Sequence, residues 1–263
     1  MHPCFDKLKN TVENNRCAVL GLGVSNLPLV KLLLTLTDAS LITVYDKKSV
    51  AQLGEEAEKL AARGVSFVDG DDWAEKVEGE VIFRSPGIRP DLPKLALAEH
   101  NGALLTSEIE QLLELSAAQT FAITGSDGKT TSTTLVGKFL EAAARRVFVG
   151  GNIGTPLLDK CGEMTERDAC VLELSSFQLM RMPHAPAYTA ITNVSPNHLN
   201  WHVDFDEYVE AKKNIVGKKT KRLVVNADCE ITRDFGREIA ESVAEPLDAI
   251  YALKSESTRR GHA

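Results

Sequence analysis

The sequence predicts an α/β protein made of two successive domains, each with a mainly parallel sheet covered by helices. Short apolar runs alternate with helical patterns along most of the 263 residues, an order that is typical of parallel sheets. Each half also begins with an apolar run that leads into a glycine turn, "GLGVSN" at 21–26 and "TGSDGKTTS" at 124–132. We therefore expect one domain over 1–107 and a second over 108–263.

The first domain has four predicted strands, each of which ends near a glycine or an acid. They are "CAVLGLG" (17–23), "LITVYD" (41–46), "VSFVDG" (65–70) and "EVIFRSPG" (80–87). Helices are predicted between them. One covers 27–36, and another covers 50–63, with Leu53, Ala57 and Leu60 on one face.

The second domain continues the alternation of strands and helices. Its predicted strands are "FAITG" (121–125), "VFVGGNIG" (147–154), "ACVLELSS" (169–176), "YTAITNV" (188–194) and "RLVVNAD" (222–228). The helix after the glycine turn is expected to direct Leu135, Val136, Phe139 and Leu140 inward. A later helix over 208–216 has Tyr208, Ala211 and Ile215 on one face. We expect no strand in the last dozen residues, which are polar and basic.

Composition excludes several classes of protein. With 43% hydrophobic and 25% charged residues, the chain has the composition of an average soluble protein. A net charge of −7 argues against a nucleic-acid partner. The sequence has neither a membrane-spanning run nor an apolar signal core at its N-terminus. Five scattered cysteines fit a reducing compartment, so we expect a cytoplasmic protein. We also expect a monomer without a membrane partner.

The turn at 124–132 predicts a phosphate-binding loop. A strand, a glycine turn and a helix together present backbone N–H groups at a helix N-terminus, where phosphate oxygens bind. Lys129 adds a charge for the terminal phosphates, and the Thr130 hydroxyl can reach Mg²⁺. In the common pattern G-x-x-x-x-G-K-[ST], four residues separate the two glycines, whereas only two separate Gly125 from Gly128. Ile123 stands where the common pattern has its first glycine. A polar turn that happens to contain G-K-T is the alternative.

The shortened pattern T-G-x-[DN]-G-K-[ST]-[ST] resembles the ATP loop of the Mur ligases and of the related folylpolyglutamate synthase. This resemblance implies a Rossmann-like N-terminal domain followed by a P-loop-type ATP-binding domain. It also implies an ATP-dependent ligase that joins a carboxylate to an amine through an acyl phosphate. The implied ATP-binding residues are Gly125, Ser126, Asp127, Gly128, Lys129, Thr130 and Thr131.

The stretch "LELSSFQL" (172–179) places Glu173 at the end of an apolar strand. A carboxylate there faces the ligand crevice of an α/β sheet and is a suitable Mg²⁺ ligand, although it could instead cap the next turn. The S-S-F-Q-L run resembles the D-glutamate-adding branch of the family. This implies ligation of D-glutamate to UDP-N-acetylmuramoyl-L-alanine in peptidoglycan precursor synthesis. Another Mur ligase, or an enzyme like folylpolyglutamate synthase, is the alternative.

The same resemblance implies two Mg²⁺ sites and a carbamylated lysine. Their ligands would be Thr130, Glu173, His198 and Lys212, with Lys212 as the carbamate. Lys129, Lys212 and His198 would be the catalytic residues. We interpret His202 as structural or as a surface residue, and Lys213 as solvated. Asn200 stands where the family usually has Asp, which would reduce the charge near the metal.

The first domain matches only G-x-G of the dinucleotide fingerprint, because Asn26 replaces the third glycine. The resemblance implies that this domain binds the UDP substrate. The implied substrate residues are Gly23, Val24, Ser25, Asp46, Lys47, Ser85, Asn152 and Ser175. An NAD-dependent oxidoreductase, or a set of ordinary strand-to-helix turns, is the alternative.

The similarity extends from about residue 15 to about residue 235, whereas the family has three domains. The resemblance leads us to expect that the C-terminal domain that binds D-glutamate is missing and that the central domain is incomplete. We therefore expect a truncated or frame-shifted ligase with impaired activity. A non-catalytic UDP-sugar-binding remnant is the alternative.

Overall fold

The structure, a computed structural model, describes residues 2–196, 200–242 and 249–253. The chain forms two compact units, one of Met1–Ala117 with Thr155–Met164 and one of Ala118–Gly154 with Thr165–Ala263. The chain first leaves the first unit at Ala117, after the boundary predicted at residue 107. The domain boundaries inferred from the sequence stay a prediction.

The first unit is built on a parallel sheet with the order β3-β2-β1-β4-β5 in the described part of the chain. Its strands are β1 (Cys17–Leu20), β2 (Ile42–Tyr45), β3 (Ser66–Val68), β4 (Val81–Arg84) and β5 (Leu104–Thr106). Its helices are α1 (Asp6–Val12), α2 (Asn26–Leu33), α3 (Val50–Leu53), α4 (Glu55–Ala62), α5 (Pro93–His100) and α6 (Glu108–Leu115). Strand β5 was not predicted, because its three residues are too few to show an alternating pattern.

The helix predicted over 50–63 is split into α3 and α4 at Gly54. This glycine has a φ of 88° and a ψ of −172°, an extended conformation with positive φ that favours glycine and ends the first helix. Ala57 and Leu60 are buried as predicted. A core cluster of the unit joins strand residues such as Leu20 and Ile82 to the helix residue Leu95.

The first unit also holds the returning segment 155–164. A buried carboxylate on α6 binds this segment, because Glu108 Oε1 accepts the backbone N–H groups of Leu157 and Leu158 at 3.1 and 2.9 Å. Burial raises the pKa of Glu108, and the two N–H donors oppose that effect. A 3₁₀ helix over Leu158–Glu163 follows immediately. Glu108 therefore ties α6 to a segment that lies far along the chain.

The second unit is built on a parallel sheet with the order β11-β10-β9-β6-β8-β7 among the described residues. Its strands are β6 (Gln119–Thr124), β7 (Val147–Gly151), β8 (Ala169–Glu173), β9 (Tyr188–Ile191), β10 (Arg222–Asn226) and β11 (Ala249–Leu253). Its helices are α7 (Lys129–Ala142), α8 (Ser176–Leu179), α9 (Phe205–Lys213) and α10 (Glu230–Ser242). Strand β11 reaches into the last dozen residues, so the expectation of no strand there was wrong.

Helix α7 packs on the sheet through a different face from the one predicted. Val136 and Leu140 contact the core as expected. Leu135 and Phe139 are 48% and 68% exposed, so their predicted inward orientation was wrong. The reason lies at Gly137, where an added Cβ would be 3.2 Å from the Val149 side chain. This close approach centres the buried stripe on Gly137 and turns the other two side chains outward.

The predicted α/β class with parallel sheets is confirmed. The described part of the chain contains no helix with the length and apolar character needed to span a membrane.

Candidate functional site

The second sheet brings the glycine loop and Glu173 to the same edge. Strands β6 and β8 are parallel neighbours with Ile123 opposite Glu173, so their carboxyl ends lie side by side. Helix α7 begins directly after the loop, and its Thr130 Oγ1 donates to Glu173 Oε2 at 2.7 Å. A hydroxyl and a carboxylate thus meet at the N-terminus of a helix.

The loop backbone depends on two glycines with positive φ. At Gly125, with a φ of 149°, a side chain would overlap the Thr192 hydroxyl. Gly128, with a φ of 76°, is the N-cap of α7 and offers no side-chain cap. The backbone N–H groups of Ser126 and Asp127 bind the backbone and the side chain of Asn193. Strand β9 and the residues after it therefore hold the first half of the loop.

The second half of the loop presents free donors. In the described residues, the backbone N–H groups of Lys129, Thr130 and Thr131 have no acceptor. The Lys129 ammonium lies over the same turn and donates to the Ser126 carbonyl at 2.9 Å. Free N–H groups, the positive end of a helix dipole and an ammonium group together make an anion-binding site.

Glu173 is buried, and neutral donors hold both of its carboxylate oxygens. Thr130 binds Oε2, while Asn152 Nδ2 donates to Oε1 at 2.8 Å. The Asn152 backbone N–H also binds the Glu173 carbonyl. At Gly151, with a φ of 94°, a Cβ would overlap that carbonyl, so only glycine fits. Asn152, predicted to bind substrate, thus contacts the predicted metal ligand.

The donor set around Glu173 fits Mg²⁺. This ion usually binds one or two carboxylates together with phosphate oxygens and water. Thr130 and Glu173 supply hard oxygen atoms beside the anion-binding loop. No group of three or more His, Cys, Asp or Glu side chains suited to a metal occurs in the described part of the chain. A magnesium ion shared with bound phosphates needs no such cluster.

Lys212 is a buried ammonium beneath the loop. It is 2% exposed, and its Nζ donates to the Gly125 carbonyl at 2.8 Å and lies 4.5 Å from the Tyr208 ring centroid. Burial, reinforced by the charge of Lys129, lowers the pKa of Lys212 to about 7. Its contacts among the described residues include no carboxylate, and it does not touch Glu173.

Ser175, which is predicted to bind substrate, lies two residues after β8. Ser175 forms a capping box at the start of α8, in which its hydroxyl accepts the Gln178 N–H and the Gln178 side chain accepts the Ser175 N–H. His198 lies outside the described residues. The second Mg²⁺ site, which depends on His198 and Lys212, therefore stays a prediction.

His202 was interpreted as structural or as a surface residue, and the structure buries it. Its Nε2 lies 2.9 Å from Ser176 Oγ, and its Nδ1 lies 3.0 Å from Glu207 Oε2. Its ring also packs edge-on against Tyr208, whose hydroxyl lies 2.8 Å from Ser126 Oγ in the loop. No sequence motif predicts this connection, because Ser176 is 26 residues away in sequence.

In the first unit, the predicted substrate residues cluster at the carboxyl ends of β1, β2 and β4. Gly23 and Val24 are open to solvent in the turn before α2. Asp46 accepts the Leu22 N–H at 2.8 Å, and Lys47 pairs with Asp71 on the surface. Ser25 is the N-cap residue of α2, and Ser85 lies directly after β4.

Comparison with known proteins identifies the family. Residues 123–257, which form just over half of the chain, match the family model of the Mur ligase middle domain. The chain belongs to the Mur ligase family. The predicted resemblance is therefore confirmed at the family level.

Individual Mur ligases agree with this assignment. A UDP-N-acetylmuramoylalanine–D-glutamate ligase from Ruminiclostridium cellulolyticum is 46% identical over 241 residues, covering 90% of this chain and 51% of the relative. The ligase of the same name from Clostridium novyi is 43% identical over 248 residues, covering 93% and 54%. The chain thus spans about half the length of the curated relatives it matches.

Solved Mur ligase structures share the fold. The UDP-N-acetylmuramate–alanine ligase MurC from Thermotoga maritima aligns with a TM-score of 0.50 and 19% identity, over 92% of this chain and 53% of that one. The UDP-N-acetylmuramate:L-alanyl-gamma-D-glutamyl-meso-diaminopimelate ligase from Neisseria meningitides gives 0.54 and 13%, over 91% and 76%. At these identities the likeness concerns the fold alone.

Proposed function

We propose that this Mur ligase chain serves the ATP-dependent joining of D-glutamate to UDP-N-acetylmuramoyl-L-alanine in cytoplasmic peptidoglycan precursor synthesis. The contact between Thr130 and Glu173 at the shortened loop carries the proposal, because it pairs a phosphate site with a magnesium ligand. The relatives named for this reaction support the choice of substrates.

The proposed reaction has two steps. A carboxylate oxygen of UDP-N-acetylmuramoyl-L-alanine attacks the γ-phosphorus of ATP, and the bond from that phosphorus to the ADP oxygen breaks. The amine nitrogen of D-glutamate then attacks the acyl carbon. The acyl C–O bond breaks, phosphate leaves and the amine loses a proton.

The residues of the second unit would act on the phosphates. The N–H groups of Lys129, Thr130 and Thr131 would bind phosphate oxygens. The Lys129 ammonium, which donates to the Ser126 carbonyl in the structure, would donate to the γ-phosphate instead. Glu173 and Thr130 would hold Mg²⁺, which when bound neutralises charge on the transferring group. Asn152 would keep the Glu173 carboxylate oriented.

Lys212 is proposed to be carbamylated. Its pKa of about 7 leaves much of the amine neutral near neutral pH, and the neutral amine is the form that reacts with CO₂. In that reaction a bond forms between Nζ and the CO₂ carbon, and one proton is released. Bicarbonate labelled with ¹³C should give a carbamate NMR signal that Lys212→Ala removes. Lys213→Ala, which changes the neighbouring lysine that pairs with Glu210 and Glu238, should keep it. A signal that survives in the Lys212 variant would reject the assignment.

The ATP site is tested by calorimetry with ATP and Mg²⁺. Lys129→Ala should weaken binding about tenfold or more, since it removes a charge-assisted contact. Lys138→Ala is the matched control, because Lys138 is an exposed lysine on the same helix. Equal affinities of the Lys129 variant and the native chain would overturn the site. Binding of NAD instead of ATP would overturn the ligase proposal.

The ligation step is tested by phosphate release. Because these 263 residues span about half the length of the curated relatives, we expect them on their own to bind UDP-N-acetylmuramoyl-L-alanine weakly and to release no phosphate in response to D-glutamate. D-glutamate-dependent release would contradict this expectation. Binding of the UDP substrate together with a complete failure to bind ATP would favour the non-catalytic remnant.

A further inference from the structure

Asn26 occupies the position where the dinucleotide fingerprint has its third glycine, and its side chain is fully buried. Asn26 Nδ2 lies 3.0 Å from the Leu20 carbonyl, 2.9 Å from the Gly21 carbonyl and 3.0 Å from Ser85 Oγ. It therefore donates to the end of β1 and to the loop after β4 together. A glycine at this position would supply no donor.

Among the described residues, the side-chain amide of Asn26 forms hydrogen bonds through its nitrogen but not through its oxygen. Its Oδ1 is buried and has no partner among the described residues. The reversed amide would direct this oxygen at two carbonyl oxygens, so the observed orientation follows from electrostatics. An apolar side chain of similar size would avoid the unpaired oxygen altogether. The side-chain amide therefore adds hydrogen bonds to the turn, at a cost in stability.

Ser85 completes the same connection. Its hydroxyl donates to the Gly21 carbonyl at 3.1 Å, and its backbone N–H binds the Leu20 carbonyl at 3.1 Å. Gly21 has a φ of 76°, and a Cβ there would be 3.1 Å from the Ser85 hydroxyl. The two carbonyls at the end of β1 are thus held by Asn26 and Ser85.

The other side of the turn is free to bind a ligand. The backbone N–H groups of Gly23, Val24 and Ser25 have no acceptor in the part of the chain that the structure describes. They precede α2, which is eight residues long, and Gly23 has no neighbouring atom within 4 Å of an added Cβ. With the carbonyls tied inward, these N–H groups form an anion site.

We propose that Asn26 is a positioning residue that holds this turn in the conformation that binds the diphosphate of a UDP substrate. The inference rests on the proposed function. It also assigns Ser85 a role in fixing the turn, through its hydrogen bonds with Asn26 and Gly21. The fingerprint has a glycine at this position, which has no side chain, whereas Asn26 brings a side-chain hydrogen-bond donor. The difference therefore changes how the turn is held as well as the sequence pattern.

The test uses the full chain and calorimetry with UDP. Asn26→Leu keeps the approximate size, removes the donor and removes the unpaired oxygen. We expect its melting temperature not to fall, while UDP binds about tenfold more weakly or worse. Affinity for ATP should stay within about twofold, because the second unit carries that site. A purely packing role for Asn26 would leave UDP affinity unchanged.

Two further variants complete the test. Ser85→Ala should also weaken UDP binding, and the effects of Asn26→Leu and Ser85→Ala should be non-additive. Thr37→Val is the matched control, since it removes a hydrogen bond to the Glu13 carbonyl beyond the far end of α2. Amide exchange at residues 22–25 should rise in the Asn26 and Ser85 variants alone.

The outcomes separate the two proposals. If the native chain does not bind UDP, the proposed function fails. If the native chain binds UDP and neither Asn26→Leu nor Ser85→Ala changes the affinity beyond about twofold, the positioning role of Asn26 is wrong. If Asn26→Leu does not fold, amide exchange at residues 22–25 in Ser85→Ala decides. Unchanged exchange together with weaker UDP binding would indicate a direct contact of Ser85 with the substrate and would reject the positioning role.

Discussion

Lys212 has an amine that is buried where its charged form is unfavourable. A buried ammonium without a carboxylate partner is rare in proteins, because desolvation disfavours the charged form. Among the described residues, Lys212 contacts the Gly125 carbonyl, the Thr124 hydroxyl and the Tyr208 ring in place of a carboxylate. The residue therefore destabilises the fold when protonated, which suggests that a chemical requirement keeps it there.

The pH dependence of stability follows from this burial. The pKa of Lys212 is about 7 in the fold, below its ordinary value of 10.5. Between these values the unfolded chain binds a proton that the folded chain does not, so stability rises with pH across this window. Below about pH 7 the penalty is complete. Lys212→Met should remove this slope and raise stability at pH 7 by ~1 kcal/mol or more.

Urea unfolding at several pH values in CO₂-free buffer measures this effect. Lys213→Met serves as the control, because Lys213 pairs with Glu210 and Glu238 and its pKa is raised. A slope that persists unchanged in the Lys212 variant would show that another group causes it.

At the scale of elements, His202 joins α8 to α9. Helix α8 follows Glu173, and α9 carries Tyr208 and Lys212. The ring lies between Ser176 and Glu207 in the arrangement of a serine-hydrolase triad. Ser176, however, is buried in the first turn of α8, where no substrate can reach it. The connection therefore fixes two helices and, through Tyr208, the Ser126 end of the loop.

Replacing His202 should loosen these helices. His202→Phe keeps an aromatic ring but removes the hydrogen bonds of His202 to Ser176 and Glu207, so we expect a loss of about 2 kcal/mol in unfolding free energy. ATP affinity should also fall, since the loop loses support. His202→Gln, which can donate and accept, should lose less. His100→Gln, at an exposed helix end, should be neutral. Equal stability of His202→Phe and the native chain would refute the role.

The sequence predicted those elements whose pattern is local. Strands such as β1 and β8 are recognisable because apolar residues fill them and a glycine or an acid ends them. Strand β5 pairs through three residues beside β4, so its existence depends on that neighbour. The contact of Thr130 with Glu173 follows from the parallel order of β6 and β8. The bond of Asn26 to Ser85 and the bond of His202 to Ser176 join residues that are far apart in sequence, so no local pattern reveals them.

For the molecule as a whole, Leu135 and Phe139 form an apolar patch on the surface of α7. They are four residues apart, so they lie on the same face of the helix. Exposed apolar patches promote association. The monomeric state stays a prediction. It requires that contacts through this patch are too weak to hold two copies of the chain together.

Replacing both residues by glutamine should reduce self-association in light scattering at high protein concentration. Unfolding free energy should change by less than about 0.5 kcal/mol, because neither side chain is in the core. Val203→Gln is the control, since Val203 is also an exposed apolar residue but lies elsewhere in the chain. Association that is equally strong in the double variant would exclude this patch as its cause.

The return of 155–164 to the first unit affects how the protein is made. A ribosome delivers residues from the N-terminus onward, so Glu108 emerges well before the N–H groups of Leu157 and Leu158 that bind it. Meanwhile β6, α7 and β7 of the other unit are synthesised. The first unit can therefore close only after translation has passed residue 164, and its nascent form must keep that carboxylate hydrated until then.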